Sequence, residues 1–244
     1  MTDSADHHAV PTHDLGYLLE DLNRIWTRVA ANEGWFRQQW LGVPIWQLPG
    51  DLVRLQRAVF AARPKWIVET GTKFGGSAIF FASLLRLLGD EEGGVLTIDL
   101  NEQPEARNTF TQHPLAGLVR EYRIGDAADP AHVMAFQQRI AASPGSVLVF
   151  LDDNHNKDHV LNEMSLFAPL VTPGSYLIVA DTVFADLAGT PVGRTTDKYR
   201  DVSISNPRAA IAEFFAVDAE FEPDRGFAGP DPSNFPDGFL RRVR

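Results

Sequence analysis

Residues 65–100 read KWIVETGTKFGGSAIFFASLLRLLGDEEGGVLTIDL, and this stretch decides the fold. A short apolar run from Trp66 to Val68 ends in an acid, Glu69, and passes into the turn Gly71-Thr72-Lys73-Phe74-Gly75-Gly76-Ser77. An apolar, helical segment follows from Ala78 to Leu88, and a glycine pair leads to a second apolar run, Val95 to Ile98, closed by Asp99. Strand, glycine turn, helix, strand and terminal acid are the plan of a mononucleotide-binding βαβ half. Glycines let a ligand approach the backbone, and the start of the helix leaves N–H groups unpaired. An acid ending the second strand suits both hydroxyls of a ribose.

The spacing is not the dinucleotide pattern G-x-G-x-x-G. Here an acid, Glu69, stands two residues ahead of the first glycine, and Gly75-Gly76-Ser77 follows at a distance. An acid beside a pyrophosphate would be repelled, whereas beside a sulfonium and an ammonium it would be attracted. The pattern therefore favours S-adenosylmethionine (SAM) over NAD. The plainer reading is a βα corner in which the glycines only turn the chain.

Outward from this unit the alternation continues. A helix with Asp51 as N-cap is predicted through Ala62, with Leu52, Leu55, Val59 and Phe60 inward. Downstream, a helix is predicted over Arg107–Gly117, a strand over Val119–Ile124 and a helix over Pro130–Ala142, with proline in its first turn. The near-continuous apolar run Ser146–Leu151 reads as a central buried strand, followed by a helix over Asp158–Ala168 and a fifth strand over Tyr176–Ala180. Acids stand at strand end after strand end: Glu69, Asp99, Asp126, Asp152 and Asp181. Ligands of doubly wound sheets sit at those ends. Residues 183–206 lack a period and read as a lid loop. A helix from Pro207 to Ala216 (Ala210, Ile211, Phe214 and Phe215 inward) and two last strands, Phe221–Phe227 and Phe239–Val243, complete a sheet with an antiparallel final hairpin.

Upstream, residues 1–13 read as a flexible tail holding His7 and His8, and 14–63 as a helical cap or lid, with a helical period from Leu15 to Ala31. Trp35, Phe36, Trp40 and Trp46 would form either a substrate wall or subunit contact, or a cap on the sheet. Residues 64–244 form the ligand-binding domain. The formal charge of −10 comes from 32 acids against 22 Lys and Arg, scattered rather than in blocks, which argues against a nucleic-acid or anionic-membrane partner. Without cysteine, disulfides, thiolate metal sites and a cysteine nucleophile are excluded. The opening residues carry no apolar signal-peptide core, and no apolar run approaches the roughly 20 residues that span a bilayer. A cytoplasmic protein is expected.

Three segments, ETGTKFGGSAIFFASLL (69–85), LDDNHNKDHVLNEMSLFAPLVTPGSYLIVADTV (151–183) and PDGFLRRV (236–243), resemble the cephalosporin hydroxylase family, which belongs to the SAM-dependent methyltransferases despite its name. The similarity runs from about Pro49 to the C-terminus. The chain is also similar, more distantly, to metal-dependent O-methyltransferases acting on macrolide sugars. The resemblance implies an α/β, doubly wound, Rossmann-like class I methyltransferase sheet of seven strands with helices on both faces. It also implies that Glu69 and Gly71 hold the methionine part of SAM, with Thr72, Lys73, Gly75, Gly76 and Ser77 wrapping it. Asp99 would hold the ribose, and Asp126 with the backbone of Ala127 the adenine. Asp152, part of the cofactor pocket, and Asp181 would form a magnesium site, and His155 would be the general base. Here the chain departs from the metal-dependent members, which carry an acid where Ala180 stands; Asp153, Asn154 or Asn206 would have to complete the site.

Methyl transfer from a sulfonium to a hydroxyl needs alignment and a proton acceptor, and imidazole suits that at neutral pH. His155 lies three residues past a strand-end acid; its plain reading is a helix-entry residue, and His159 is the rival base. Lys73 would touch the SAM carboxylate or face water, and Arg194, Lys198 and Arg200 would hold an anionic substrate or be solvated. The expected activity is O-methylation of a sugar or other small natural product by a homo-oligomer. The alternatives are an NAD(P)-dependent oxidoreductase, which Glu69 argues against, and a non-catalytic SAM-binding scaffold.

Overall fold

The computed structural model describes residues 37–89, 92–190, 193–196, 198–228 and 232–244. The tail with His7 and His8, the helical period over 15–31, and Trp35 and Phe36 lie outside the described residues.

A small antiparallel hairpin, β1 (Gln39–Trp40) and β2 (Val43–Pro44), leads into α1 (Pro49–Ala62). The chain then alternates: β3 (Trp66–Thr70), α2 (Gly76–Leu88), β4 (Gly94–Asp99), α3 (Pro104–Gln112), β5 (Val119–Ile124), α4 (Pro130–Ala142), β6 (Val147–Leu151), α5 (Lys157–Phe167) and β7 (Tyr176–Val179). Helix α6 (Pro207–Phe215) and strands β8 (Phe221–Pro223) and β9 (Phe239–Arg242) follow. The seven-stranded sheet has the order β5-β4-β3-β6-β7-β9-β8. Strands β3 to β7 run parallel, and β9 is antiparallel to both β7 and β8. This is the expected class I methyltransferase sheet with its antiparallel last hairpin. The order reverses between β3 and β6, where a doubly wound sheet opens its crevice.

Strand alternation splits the core in two. Trp66, Val68, Val147, Val149 and Leu177 face Phe136 of α4, Met164 and Phe167 of α5, and Phe214 of α6. Ile67, Leu148, Phe150 and Ile178 face Leu55 and Val59 of α1 and Phe80 and Phe81 of α2. Helix α1 thus shares a core layer with α2. Helix α2, GSAIFFASLLRLL, is apolar almost all round because it lies between the sheet on one side and α1 and the small hairpin on the other.

Several expected details change. Leu48, not Asp51, stands at the N-cap of α1. Asp51 is wholly buried and accepts hydrogen bonds from Asn234 N (2.7 Å), Ser233 Oγ (2.6 Å) and Arg54 Nη1 (3.2 Å), tying α1 to the segment before β9. Phe60 is 37% exposed rather than inward. The helix expected over 107–117 starts earlier, at Pro104, and gives way to a 3₁₀ turn at Ala116–Leu118. The strand expected through Phe227 stops at Pro223, which cannot donate to a ladder, and Phe227 instead stacks on Phe239 at 4.3 Å. No helix among the described residues is long and apolar enough to cross a membrane.

Candidate active site

A cavity of about 640 Å³ opens at the carboxyl ends of the parallel strands. Its walls include Gly71, Thr72, Lys73, Phe74, Gly76 and Ser77 from the glycine turn, and Asp99, Asp126, Asp152, Asp153, His155 and Asp181 from the later strand ends. The turn is shaped by close approach. A Cβ on Gly71, whose φ is +85°, would lie 2.1 Å from the carbonyl oxygen of Asp152, and one on Gly76 would lie 2.0 Å from that of Pro44. Glycine at 71 lets β3 and β6 end side by side. Glycine at 76 lets the small hairpin press on the start of α2.

Asp99 closes β4 with both oxygens fixed: Lys73 N donates to Oδ2 (2.7 Å) and Asn101 N to Oδ1 (3.2 Å). Its remaining lone pairs are available to a diol. Asp126 accepts from Ala128 N at 2.9 Å, so its carboxylate too is oriented by backbone. Glu69 faces the α2 side by strand alternation and is not among the lining residues, nor are Gly75 and Ala127. Glu69 is wholly buried; Thr97 Oγ1 donates to its Oε2 (2.7 Å) and lies 2.6 Å from Thr72 Oγ1, which reaches the wall. Its other oxygen, Oε1, has no partner. Burial pushes the Glu69 carboxyl up to about 7, against the hydroxyls of Ser77 and Thr97, which favour its charge. The ammonium of Lys73, a residue with φ +47°, rests over the Trp46 ring at 4.6 Å.

At the other end, His155 Nε2 lies 2.8 Å from Asp181 Oδ2. The imidazole is held by Phe184 (centroids 4.9 Å apart) and by Tyr199, nearly parallel at 5.7 Å. Its Nδ1 makes no hydrogen bond among the described residues. Asp152 accepts from Gln47 Nε2 at 2.7 Å. Burial first, then the charges of Asp181, Glu69 and Asp153, push the Asp152 carboxyl well above the usual range, with the Gln47 bond opposing. His159, the rival base, is engaged elsewhere: its Nε2 lies 3.3 Å from Asp153 Oδ2 and 3.7 Å from Glu163 Oε2. Burial disfavours the charged form of both partners, yet their mutual attraction wins, so Asp153 is lowered and His159 raised. Buried Glu163 is pushed well up, by burial and then by Asp153.

The two described tryptophans of the aromatic stretch take different places. Trp40 caps α2, donating to Ser83 Oγ (3.1 Å) and meeting Phe80 edge-on, whereas Trp46 walls the cavity. Lys198 lines the cavity, but Arg200 pairs with Asp158 at 3.0 Å and is not among the lining residues. The residue that sequence reasoning missed is Gln47, only 3% exposed, and nothing in its local pattern marks it.

A magnesium ion is implied at Asp152 and Asp181, and the residues present are a poor fit for it. Ala180 brings a methyl group that packs in the α1–α2 core layer, 2% exposed. Asn206 is unavailable because its Oδ1 caps α6 by accepting from Ala209 N (2.8 Å) and its Nδ2 donates to Val202 O (2.7 Å). One oxygen of Asp152 and one of Asp181 are engaged by Gln47 and His155. Asp152, His155 and Asp181 do bring donor atoms within 4.8 Å of one another, but the third donor is an imidazole. Magnesium prefers an all-oxygen octahedron.

Over residues 32–243 the chain matches the family described as Rhamnosyl O-methyltransferase/CmcI. A rhamnosyl O-methyltransferase from Mycobacterium bovis is 32% identical over 165 residues, covering 66% of this chain and 62% of that protein. The Mycobacterium leprae rhamnosyl O-methyltransferase is 30% identical over 168 residues, covering 66% of each. The chain thus spans 62% of the length of the Mycobacterium bovis relative. Among solved structures, the Mg-SAM structure of CmcI superposes with a TM-score of 0.60 at 20% identity, covering 86% of this chain and 78% of that one. An O-methyltransferase from Bacillus cereus in complex with SAH gives 0.52 at 20% identity, covering 93% and 91%. At that identity the structural likeness speaks for the fold alone.

Proposed function

The chain belongs to the Rhamnosyl O-methyltransferase/CmcI family, and from that footing we propose that it transfers a methyl group from SAM to a hydroxyl of a sugar or another small natural product. The observation that carries this reading is that one cavity holds a backbone-anchored acid, Asp99, at one end and a carboxylate-held imidazole, His155, at the other. SAM, when bound, supplies a methyl group on a sulfonium centre.

The chain's own residues do the rest. Asp99 accepts from the ribose hydroxyls, and Asp126 from the adenine amino group. Glu69 offers its unpartnered Oε1, at a site where burial strengthens its attraction to a cation. The cavity walls align donor and acceptor, a contribution of about 7–11 kcal/mol in well-oriented systems. His155 takes the hydroxyl proton on Nδ1, a base contribution of about 10²–10⁴-fold. Trp46, Phe184, Lys198 and Tyr199 form the acceptor's wall. The rhamnosyl acceptors named for the relatives favour a sugar.

Titration calorimetry with SAM and with NADH tests the reading. SAM should bind one-to-one and NADH should not; binding of NADH alone would overturn it.

A further inference from the structure

We propose that methyl transfer in this chain is independent of magnesium, and that Asp181 serves as a positioning residue that orients His155. This rests on the methyltransferase reading above.

The juxtaposition is specific. Asp181 Oδ2 and His155 Nε2 stand 2.8 Å apart, with only 19% and 10% of the side chains exposed. Packing enforces the contact from both sides. The imidazole is flanked by Phe184 and Tyr199, whose rings meet each other edge-on at 5.1 Å. Asp181 is held in the left-handed region, φ +54°, an unfavourable backbone state that surrounding structure must maintain. Two residues past the end of β7, that conformation redirects the chain into the 3₁₀ turn Thr182–Leu187, which carries Phe184.

The same residues leave a poor cradle for a cation. Ala180 packs its methyl group in the core, and Gln47 Nε2 holds Asp152 Oδ2. A divalent ion recruiting those oxygens would pull Asp181 from His155 and Asp152 from Gln47. Gln47, itself 3% exposed, would then keep two unpaired buried groups, since its Oε1 already lacks a partner.

The chemistry closes without a metal. A carboxylate accepting from Nε2–H leaves Nδ1 as the basic nitrogen and stabilises the imidazolium formed when Nδ1 gains a proton. The acceptor oxygen bonds to the methyl carbon as the carbon–sulfur bond breaks, with its electron pair going to sulfur. The hydroxyl proton passes to Nδ1, and Asp181 stays ionised throughout. The positive charge on sulfur is exchanged for one on His155, which the Asp181 carboxylate is placed to receive.

The experiment uses the full chain and no acceptor. ¹⁵N-resolved NMR of neutral His155 should report the Nε2–H tautomer in the wild type. D181N, whose amide oxygen can accept the same bond, should retain that tautomer. D181A should shift His155 to a mixture, while both variants bind S-adenosylhomocysteine within about threefold of wild type. Mn²⁺ followed by electron paramagnetic resonance should show no tight equivalent bound by the wild type, with or without S-adenosylhomocysteine. A tight Mn²⁺ site abolished in D181A would overturn the proposal, as would an unchanged tautomer in D181A. Failure of the wild type to bind S-adenosylhomocysteine would instead sink the methyltransferase reading and leave the tautomer result standing.

Discussion

Glu69 shows how one residue links burial to ligand chemistry. Its carboxyl is raised from 4.5 to about 7, chiefly by burial. The folded protein therefore holds a proton that the unfolded chain releases near 4.5. The associated stability is fully present below that value and is lost as pH rises through about 7. Replacement by Gln keeps a neutral group in place, so E69Q should unfold at a higher temperature than wild type at pH 8 and match it near pH 4.5. Thermal melts across that range check this. A cation beside Glu69 favours the charged form, so SAM uptake near pH 6.5 should release a proton in wild type and less in E69Q. Calorimetry in buffers of different ionisation heat reads the difference, and E69Q should also bind SAM at least about tenfold more weakly, the loss of a charge-assisted contact. At Gly71 the constraint is steric. G71A sets a Cβ against the Asp152 carbonyl in a left-handed backbone, and should cost more than about 2 kcal/mol in denaturant unfolding.

Among elements, α6 and the 3₁₀ turn before it hold the loop side of the cavity. Asn206 caps α6 and is spent on that task, so N206A should destabilise the protein by about 0.5–2 kcal/mol without changing metal binding. Arg208, in the first turn of α6, forks onto Asp186 with two bonds of 2.8 Å and so ties the turn bearing Phe184 to the helix. R208A should raise amide hydrogen exchange across 182–187 while the β3–β6 core stays protected. Exchange spread evenly over the chain would contradict this local role. These ties also explain why an aperiodic stretch reads as a loop from its residues yet holds Phe184 and Tyr199 against His155.

At the scale of the whole molecule, helix α1 is joined to the segment before the last strand through a buried polar node. Asp51 is raised to about 6, by burial first, with the Asn234 and Ser233 bonds and the Arg54 charge opposing. D51A would leave the Arg54 guanidinium, the Asn234 N–H and the Ser233 hydroxyl without this acceptor, a loss of about 3–5 kcal/mol for a broken buried pair. Denaturant midpoints should fall by that measure with an unchanged slope.

The sequence by itself determined the alternation of strands and helices and the row of acids at the strand ends. Each depends on short-range patterns: apolar periods of two or near four, prolines at helix starts, glycines at corners. Strands Val119–Ile124 and helix Pro130–Ala142 were legible to the residue for that reason. Only the tertiary structure decided which acid does what. Gln47 meets Asp152 across 105 residues, Asp51 meets Asn234 across 183, and Asp181 reaches His155 only because two strand ends and a 3₁₀ turn converge there. Glu69 stands behind the lining residues, and only the packing shows that Thr97 links it to Thr72 at the wall and leaves its Oε1 unpartnered. Local pattern fixes which face a residue takes, but its partners are set by how distant segments pack, and that packing gives His155 a carboxylate instead of leaving it a solitary base.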